Sequence, residues 1–388
     1  MKADIPFEFY IRRDNGLHLL KIDTETLPLP RGPDSAAKGE PLSYGIFLKS
    51  IARVLCGNSG QGLQTVLRKR LGYPVQIREI QQVRLISEKH GACYHVARLD
   101  IRAGGETISY AVNVAATPEA RKGLQREVEL LQELAGQYDQ PFLPRLFFNE
   151  TEHLAGDGEG MPAISLFITE WLTGFHEFHL HQSRGSQEYR LLLWDTDRGF
   201  HYLSSAQERE VYRQAARILT LYYDWNHFKQ IYPWHLAAGD FVLKKKGNRI
   251  DLRLVTVRDY TPVVSFRTKE RGGKLLALIL FFLHLTIQLR LDRLDGVGEV
   301  ACANGAMLAP VVQGFLEGLA TENSKRGPDI PSRKEMSELL RSFSQNEWHG
   351  LMTEFFDTYG LSAEEFSVFA EEKDSHLNML RDVLANLL

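Results

Sequence analysis

At 388 residues, with a formal net charge of −3 and 24% charged residues, the chain can form one large or two ordinary domains with a substantial core. Its slightly acidic balance gives no broad attraction for nucleic acid. The three cysteines, Cys56, Cys93 and Cys302, are far apart and show no CxxC or other close ligand spacing, so they read as small buried hydrophobes in a reducing compartment.

The opening MKADIPFEFYIRR contains no uninterrupted apolar run, so export is not expected and a cytoplasmic location is. Two extended patterns, FEFYI and LHLLKI, precede a Pro/Gly/Ser-rich connection, LPLPRGPDSAAKGEP. Gly45–Cys56 and Gly62–Leu71 are expected as two short helices separated by a turn at Gly57-Asn58-Ser59-Gly60. No Gly-Lys-Ser/Thr follows that turn, so it is not a phosphate-binding loop. From Val75 the pattern becomes strand-like. Gln76–Ile86, Cys93–Ile101 and Glu106–Val114 are separated by glycine-containing turns, which predicts a three-stranded antiparallel meander.

Thr117–Leu134 follows as a helix, with Thr117 as cap, Pro118 in the first turn and Leu124, Val128 and Leu131 facing inward. Extended segments are expected at Pro141–Phe148 and Ala163–Trp171. Beyond Gly174 the chain reads as mainly helical, with helices at Gln207–Tyr223, Gly273–Arg293 and Pro310–Leu319. A hairpin interrupts them: Gly247-Asn248 at its tip favours pairing of Phe241–Lys246 with Arg249–Arg258. Leu275–Leu291 is apolar, but it contains His284, Gln288 and Arg290 and is read as a central core helix rather than a membrane span. The Thr321–Ser332 link leads to a helical C-terminal part at Arg333–Phe343, Glu347–Tyr359 and Ser362–Leu388.

Most constellations of chemical interest have an architectural reading. His176, His179 and His181 in HEFHLH lack standard metal spacing and read as linker. Tyr222, Tyr223, Trp225 and Phe228 read as core. Asp251 is expected to face Lys244 across the hairpin as a solvated pair. No Gly-x-Ser-x-Gly, zincin or Rossmann fingerprint is present. The residues that remain for chemistry are Asp240 and Asp259 around the hairpin, with His235 read as architectural.

The order of elements resembles the protein-kinase-like superfamily, in particular its aminoglycoside and other small-molecule phosphotransferases. The resemblance implies an α+β, two-lobed fold: an N-terminal extension over 1–74, a β-rich small lobe over 75–172, a helical large lobe over 173–320 and a helical C-terminal extension over 321–388. YAVNVAA resembles the strand that presents a phosphate-pairing lysine, with Asn113 in that place, and LQREVELL makes Glu127 the matching helix glutamate. Lys89 or His90 would supply a replacement charge. SLFITEWLTG resembles the hinge that offers adenine a backbone edge, which makes Glu170, Trp171 and Leu172 cleft positions.

PWHLAAGDFVLKKK admits two alignments. In one, Asp240 is the catalytic base that orients a hydroxyl. In the other, His235 matches the motif histidine, the catalytic position falls near Ala237, and Asp240 lies at a metal-binding position. Asp259, after the hairpin, is the second metal candidate, and ATP with Mg²⁺ is the cofactor set the resemblance implies. The structural reading of the same residues has Asp240 capping a turn and Asp259 pairing with Arg258 or Arg267. Because lysine charge is replaced by a neutral amide at Asn113, the expectation is a pseudokinase-like protein that binds a small molecule or a protein partner. The rivals are an unconventional ATP:Mg²⁺ phosphotransferase and a structural assembly protein. Nothing in the sequence sets the oligomeric state.

Overall fold

The computed structural model describes residues 5–13, 16–20, 25–29, 42–90, 94–150, 163–183, 185, 188–195, 198–264, 270–321 and 329–387. Cys93, Arg267 and the side chains of Lys89 and His90 lie outside the described part. The fold is mixed α and β, and the chain divides into two compact units, Met1–Gln132 with Pro144–Thr173, and Glu133–Leu143 with Gly174–Leu388.

The first unit contains β1 (Phe7–Arg13), β2 (Gly16–Leu19), α1 (Tyr44–Leu71), β3 (Ile80–His90), β4 (His95–Ala103), β5 (Glu106–Ala115), most of α2 (Pro118–Gln137), β6 (Leu146–Glu150) and β7 (Ser165–Glu170). The strands form one sheet in the order β2-β1-β3-β4-β5-β7-β6. The meander β3-β4-β5 is antiparallel, as its turns predict. Alternate residues drive its packing. Val83, Leu85, Leu99, Ile101, Val112, Val114 and Ile168 share a buried cluster with Phe47, Ile51, Leu55, Leu63 and Val66 of α1.

Two expectations change here. The two short helices are one helix running from Tyr44 to Leu71. Gly60 takes φ +86° within it, and a Cβ on Gly62 would lie 2.9 Å from the Leu55 backbone. The small residues that look like a turn therefore serve a bend and a close approach. The strand β1 and the helix α1, both before residue 75, are also part of this core rather than an appendage, since β1 pairs in parallel with β3 and α1 covers the sheet. At α2 the expected cap is present: the Thr117 hydroxyl accepts the Ala120 N–H at 3.2 Å.

The second unit begins with an antiparallel sheet of β8 (Glu177–Gln182), β9 (Tyr189–Asp195) and β10 (Gly199–Tyr202). The HEFHLH segment is thus a strand and not a linker; Phe178, His179 and Leu180 are buried in succession, a run that its histidines disguised. Next come α3 (Ser205–Leu221), β11 (Lys229–Ile231), the hairpin β12 (Phe241–Lys246) and β13 (Arg249–Leu254), and β14 (Tyr260–Pro262). They are followed by α4 (Arg271–Gln288), β15 (Leu291–Arg293), β16 (Val300–Cys302), α5 (Leu308–Ala320), α6 (Arg333–Ser342), α7 (Gln345–Thr358) and α8 (Ala363–Ala385).

Helix α4 is the centre of this unit, and every residue from Ala277 to Gln288 is buried. Among the described residues it is the one helix long and apolar enough to cross a membrane, and 67% of its apolar window is buried, which accounts for its composition. The C-terminal helices supply part of the cover. Trp348 lies 6.5 Å from Phe282 between ring centroids, and Tyr359 stacks on His284 at 4.3 Å. The expected C-terminal extension therefore belongs to the core of this unit, because α4 is apolar on more sides than its other neighbours cover.

Helices α3 and α5 cross at glycines. A Cβ on Gly318 would come within 2.6 Å of the Thr220 Cβ, and one on Gly314 would collide with the Arg213 carbonyl. Alanine normally favours a helix over glycine by about 1 kcal/mol. Here, Gly314→Ala and Gly318→Ala are expected to lower stability by about 1–3 kcal/mol each, read from urea unfolding.

His284 is fully buried, lies near Tyr232 and Trp234, and has no hydrogen-bond partner at either ring nitrogen among the described residues. Burial pushes its pKa down to about 3, and burial, then the Arg290 charge, also holds His376 well below the usual range. The unfolded chain takes up protons at these positions as pH falls below about 6.5 while the folded chain does not. Stability contributed above that pH is therefore lost as it falls, at about 1.4 kcal/mol per pH unit for each histidine. Urea unfolding between neutral pH and the onset of carboxylate titration is expected to show this slope, and His284→Leu is expected to reduce it.

Candidate functional site

The residues singled out from the sequence fall in both units. In the first, Asn113 lies on β5 opposite Val96 and Phe167. The Phe167 ring meets Tyr94 at 6.3 Å, and the Tyr94 hydroxyl is 3.5 Å from where a Cβ on Gly123 would be. Glu127, one turn beyond Gly123 on α2, is buried. Asn113 and Glu127 thus belong to the same face of this unit. Lys89 and His90 end β3, beyond a bulge at Ser87/Lys89.

That face carries a charge network the sequence reading did not find. Arg98 is opposite Ala111 and so shares the side of the sheet occupied by Asn113. Its guanidinium is 3.2 Å from Asp100 and 3.4 Å from Glu88, and it lies 5.5 Å over the Trp171 ring. Glu88 also pairs with Arg12, and the Ser109 hydroxyl donates to Asp100 at 2.7 Å. Two guanidinium groups meet two carboxylates, so the network is locally neutral and adds no net attraction for phosphate. Glu170 accepts the Arg145 N–H at 3.3 Å. The Trp171 carbonyl accepts the Thr173 N–H at 3.0 Å, which closes a tight turn around half-buried Leu172.

In the second unit, one turn of wide π-type helix, Leu236–Asp240, joins His235 to the hairpin. Gly239 takes φ +87°, which lets the chain reverse into β12, and the hairpin pairs Lys244 with Asp251 as the Gly247-Asn248 tip predicts. Asp251 forms its ion pair with Arg253 at 3.3 Å rather than with Lys244. At the mouth, Asp240 is 3% exposed. Its backbone carbonyl accepts the Val255 N–H at 2.8 Å, and its carboxylate accepts the His235 N–H at 2.9 Å. Both carboxylate oxygens also face the Arg258 guanidinium, one of them at 2.5 Å from Nη2. This is the bidentate pairing in which arginine is strongest.

Arg258, considered in sequence as a partner of Asp259, is therefore the partner of Asp240. The Asp259 carboxylate accepts the Tyr260 N–H at 2.8 Å and lies 3.5 Å from the Thr261 hydroxyl. Among the described residues no group of three or more His, Cys, Asp or Glu side chains is arranged to hold a metal ion. A divalent ion at Asp240 would have to displace a guanidinium from a buried carboxylate, so the residues at this turn do not fit Mg²⁺ as they stand.

Asp292 is the residue that sequence reasoning missed. It follows α4 on β15, is 5% exposed, and accepts the N–H of Ala237 at 2.5 Å and of Arg293 at 2.8 Å. It thereby ties the 236–240 turn to the end of the central helix. Burial raises its pKa above the ordinary aspartate value despite these bonds. The available signal was a lone carboxylate directly after the longest apolar run. The histidines of β8 join no metal-ligand group among the described residues; His181 pairs with Asp295 at 2.7 Å, and the His179 ring packs at a tilt against Trp194, 3.9 Å between centroids.

No family model matches the chain. No curated protein matches it either. Among solved structures, it is similar to the crystal structure of a "Putative fructosamine-3-kinase" from Haemophilus somnus 129PT, with 11% identity over 84% of this chain and 96% of that one, at a TM-score of 0.25. A likeness of that size carries no argument about function.

The Asp240 clasp has a measurable consequence. Arg258→Ala leaves a buried carboxylate without its cation and is expected to lower stability by roughly 2–3 kcal/mol, below the value for fully buried pairs because the Arg258 side chain is 39% exposed. Arg258→Lys is expected to recover only part of this, since an ammonium cannot bridge both oxygens. Chemical denaturation of the three proteins checks both.

Proposed function

We propose that this chain is a kinase-like ligand-binding or regulatory protein in which the acidic turn is a structural clasp and conventional metal-dependent phosphotransfer is absent. The observation that carries the reading is the Asp240–Arg258 pair, in which both carboxylate oxygens of the leading catalytic and metal candidate are committed to a guanidinium. A general base needs a free lone pair directed at its substrate, and a phosphotransfer metal needs carboxylate oxygens directed at the ion.

Support also comes from the first unit. Asn113 brings a neutral amide where the resemblance calls for lysine, and the Arg12, Glu88, Arg98 and Asp100 network beside it balances its own charge. The kinase-like part of the proposal rests on element order: three strands, a helix and two strands, then, after an inserted three-stranded sheet, a helix, a turn, a hairpin and a central buried helix. In this reading the body binds a small molecule or protein partner and acts through conformation.

Calorimetry with ATP, ADP and GTP, each with and without Mg²⁺, tests it. The expected result is no Mg²⁺-dependent gain in affinity and no phosphate release. Metal-dependent nucleotide binding that Asp240→Asn and Asp259→Asn both weaken would overturn the proposal in favour of an unconventional phosphotransferase.

A further inference from the structure

Between β8 and β9, the first turns of α3 and the segment that leads into α5, all within the second unit, lies a cavity of about 230 Å³. It exceeds the roughly 150 Å³ that accommodates benzene in an engineered protein cavity. One part of its lining is apolar, with Leu180, Leu191 and Met307 all buried. Another belongs to α3, where Ser205, Glu208, Arg209 and Tyr212 recur at helical spacing and so share one face. None of these residues takes part in the Asp240 clasp.

Two buried polar groups on that face have hydrogen-bonding capacity to spare. Tyr212 is 3% exposed, and its hydroxyl has no hydrogen-bond partner among the described residues. A buried tyrosine hydroxyl ordinarily finds one, and this side chain lines the cavity. Glu208, one helical turn earlier, is 6% exposed. Its Oε1 accepts the Arg190 Nε–H at 2.8 Å and the Leu191 N–H at 3.0 Å, while its Oε2 accepts nothing among the described residues. The Glu208 charge reaches the Tyr212 hydroxyl, so the two open groups are neighbours.

Charge narrows the choice of ligand. Arg190 already matches Glu208, so the free oxygen calls for a neutral donor rather than a second cation, and a hydroxyl supplies one. Glu188, the other acid in the lining, also has a partner. Arg209 is exposed and forms no ion pair among the described residues, which leaves one cation for an anion to meet. A singly charged carboxylate meets it with less repulsion from the buried Glu208 than a phosphate would bring.

We propose that this cavity binds a small α-hydroxycarboxylate with an aliphatic tail. Its carboxylate lies on Arg209, its hydroxyl donates to Oε2 of Glu208 and accepts from the Tyr212 hydroxyl, and its tail runs along Leu180, Leu191 and Met307. A plain fatty acid offers Glu208 no donor, and an amino acid brings a cation where the charge is already met. The proposal rests on the groups that line this cavity and holds whether or not the protein binds nucleotide.

The test is calorimetric titration of the full chain with sodium α-hydroxyisocaproate, and separately with isocaproate, which lacks the hydroxyl, and with leucine, which carries an ammonium in its place. Saturable binding of the hydroxy acid is expected, about tenfold tighter than that of either comparison compound. Tyr212→Phe, which removes only the hydroxyl, is expected to weaken it by about three- to tenfold, and Arg209→Gln, at an exposed position, by about tenfold. Thermal unfolding reports whether each variant folds. Absence of saturable binding, isocaproate or leucine binding as tightly as the hydroxy acid, or binding that either folded variant leaves unchanged would overturn the proposal.

Discussion

A carboxylate taken out of water must have its charge met inside the protein or lose it to a proton. At Asp240 the charge is met by Arg258, and much of the second unit is arranged around that pairing. The carboxylate also receives the His235 N–H, and the backbone carbonyl receives Val255, so one residue ties the start of the turn, the start of the hairpin and the chain leaving it. Arg258 reaches back further, donating to the Pro233 carbonyl at 3.2 Å. From the other side Asp292 holds Ala237. The two acids thus fix the same short turn by different means, one through a cation and one through backbone amides.

The turn is anchored to the most apolar element in the chain. Helix α4 is buried throughout its second half, and β15 follows it directly, so Asp292 is held with little freedom. Around α4 the unit uses aromatic side chains as cover, among them Phe315 near Phe282 at 4.9 Å and Tyr359 on His284. The amide of Gln230 donates to the Tyr359 hydroxyl at 2.8 Å. These contacts make the last helices part of the core that supports the turn, and they explain how a histidine can remain neutral in the middle of it. A further link runs from Arg290, 2% exposed, to His376 Nδ1 at 2.9 Å, joining α8 to the end of α4. Since an arginine donates and cannot accept, this Nδ1 accepts and the proton on the neutral ring belongs to Nε2.

Much of the secondary structure was legible because it depends on local rules. Alternation gave β3, β4 and β5, the Gly247-Asn248 tip gave the hairpin and its register, and Thr117-Pro118 gave the start of α2. The places that misled are those where a local signal served a distant purpose. Gly60 and Gly62 resemble a break but permit a bend and a close contact within α1. The histidines of β8 resemble a polar linker, yet Phe178 and Leu180 between them are buried. The first 74 residues resemble an appendage, because nothing local reveals that β1 pairs with β3, Phe7 lying opposite Val83.

The candidate site divides along the same line. The sequence by itself determined which residue types were available: an amide at Asn113, acids at Asp240 and Asp259, and an irregular turn that positions Asp240 beside a hairpin. Only the tertiary structure decided which charges meet. Arg258 and Asp240 are 18 residues apart, and Asp292 and Ala237 are 55 apart. Charge balance depends on distance in space, and pairing at such separations follows from how α4, the hairpin and α8 pack rather than from any pattern within them. Asp240 thereby became a clasp to Arg258 and Asp292 a buried acceptor for the Ala237 N–H, although in the sequence alone the first stood out and the second did not.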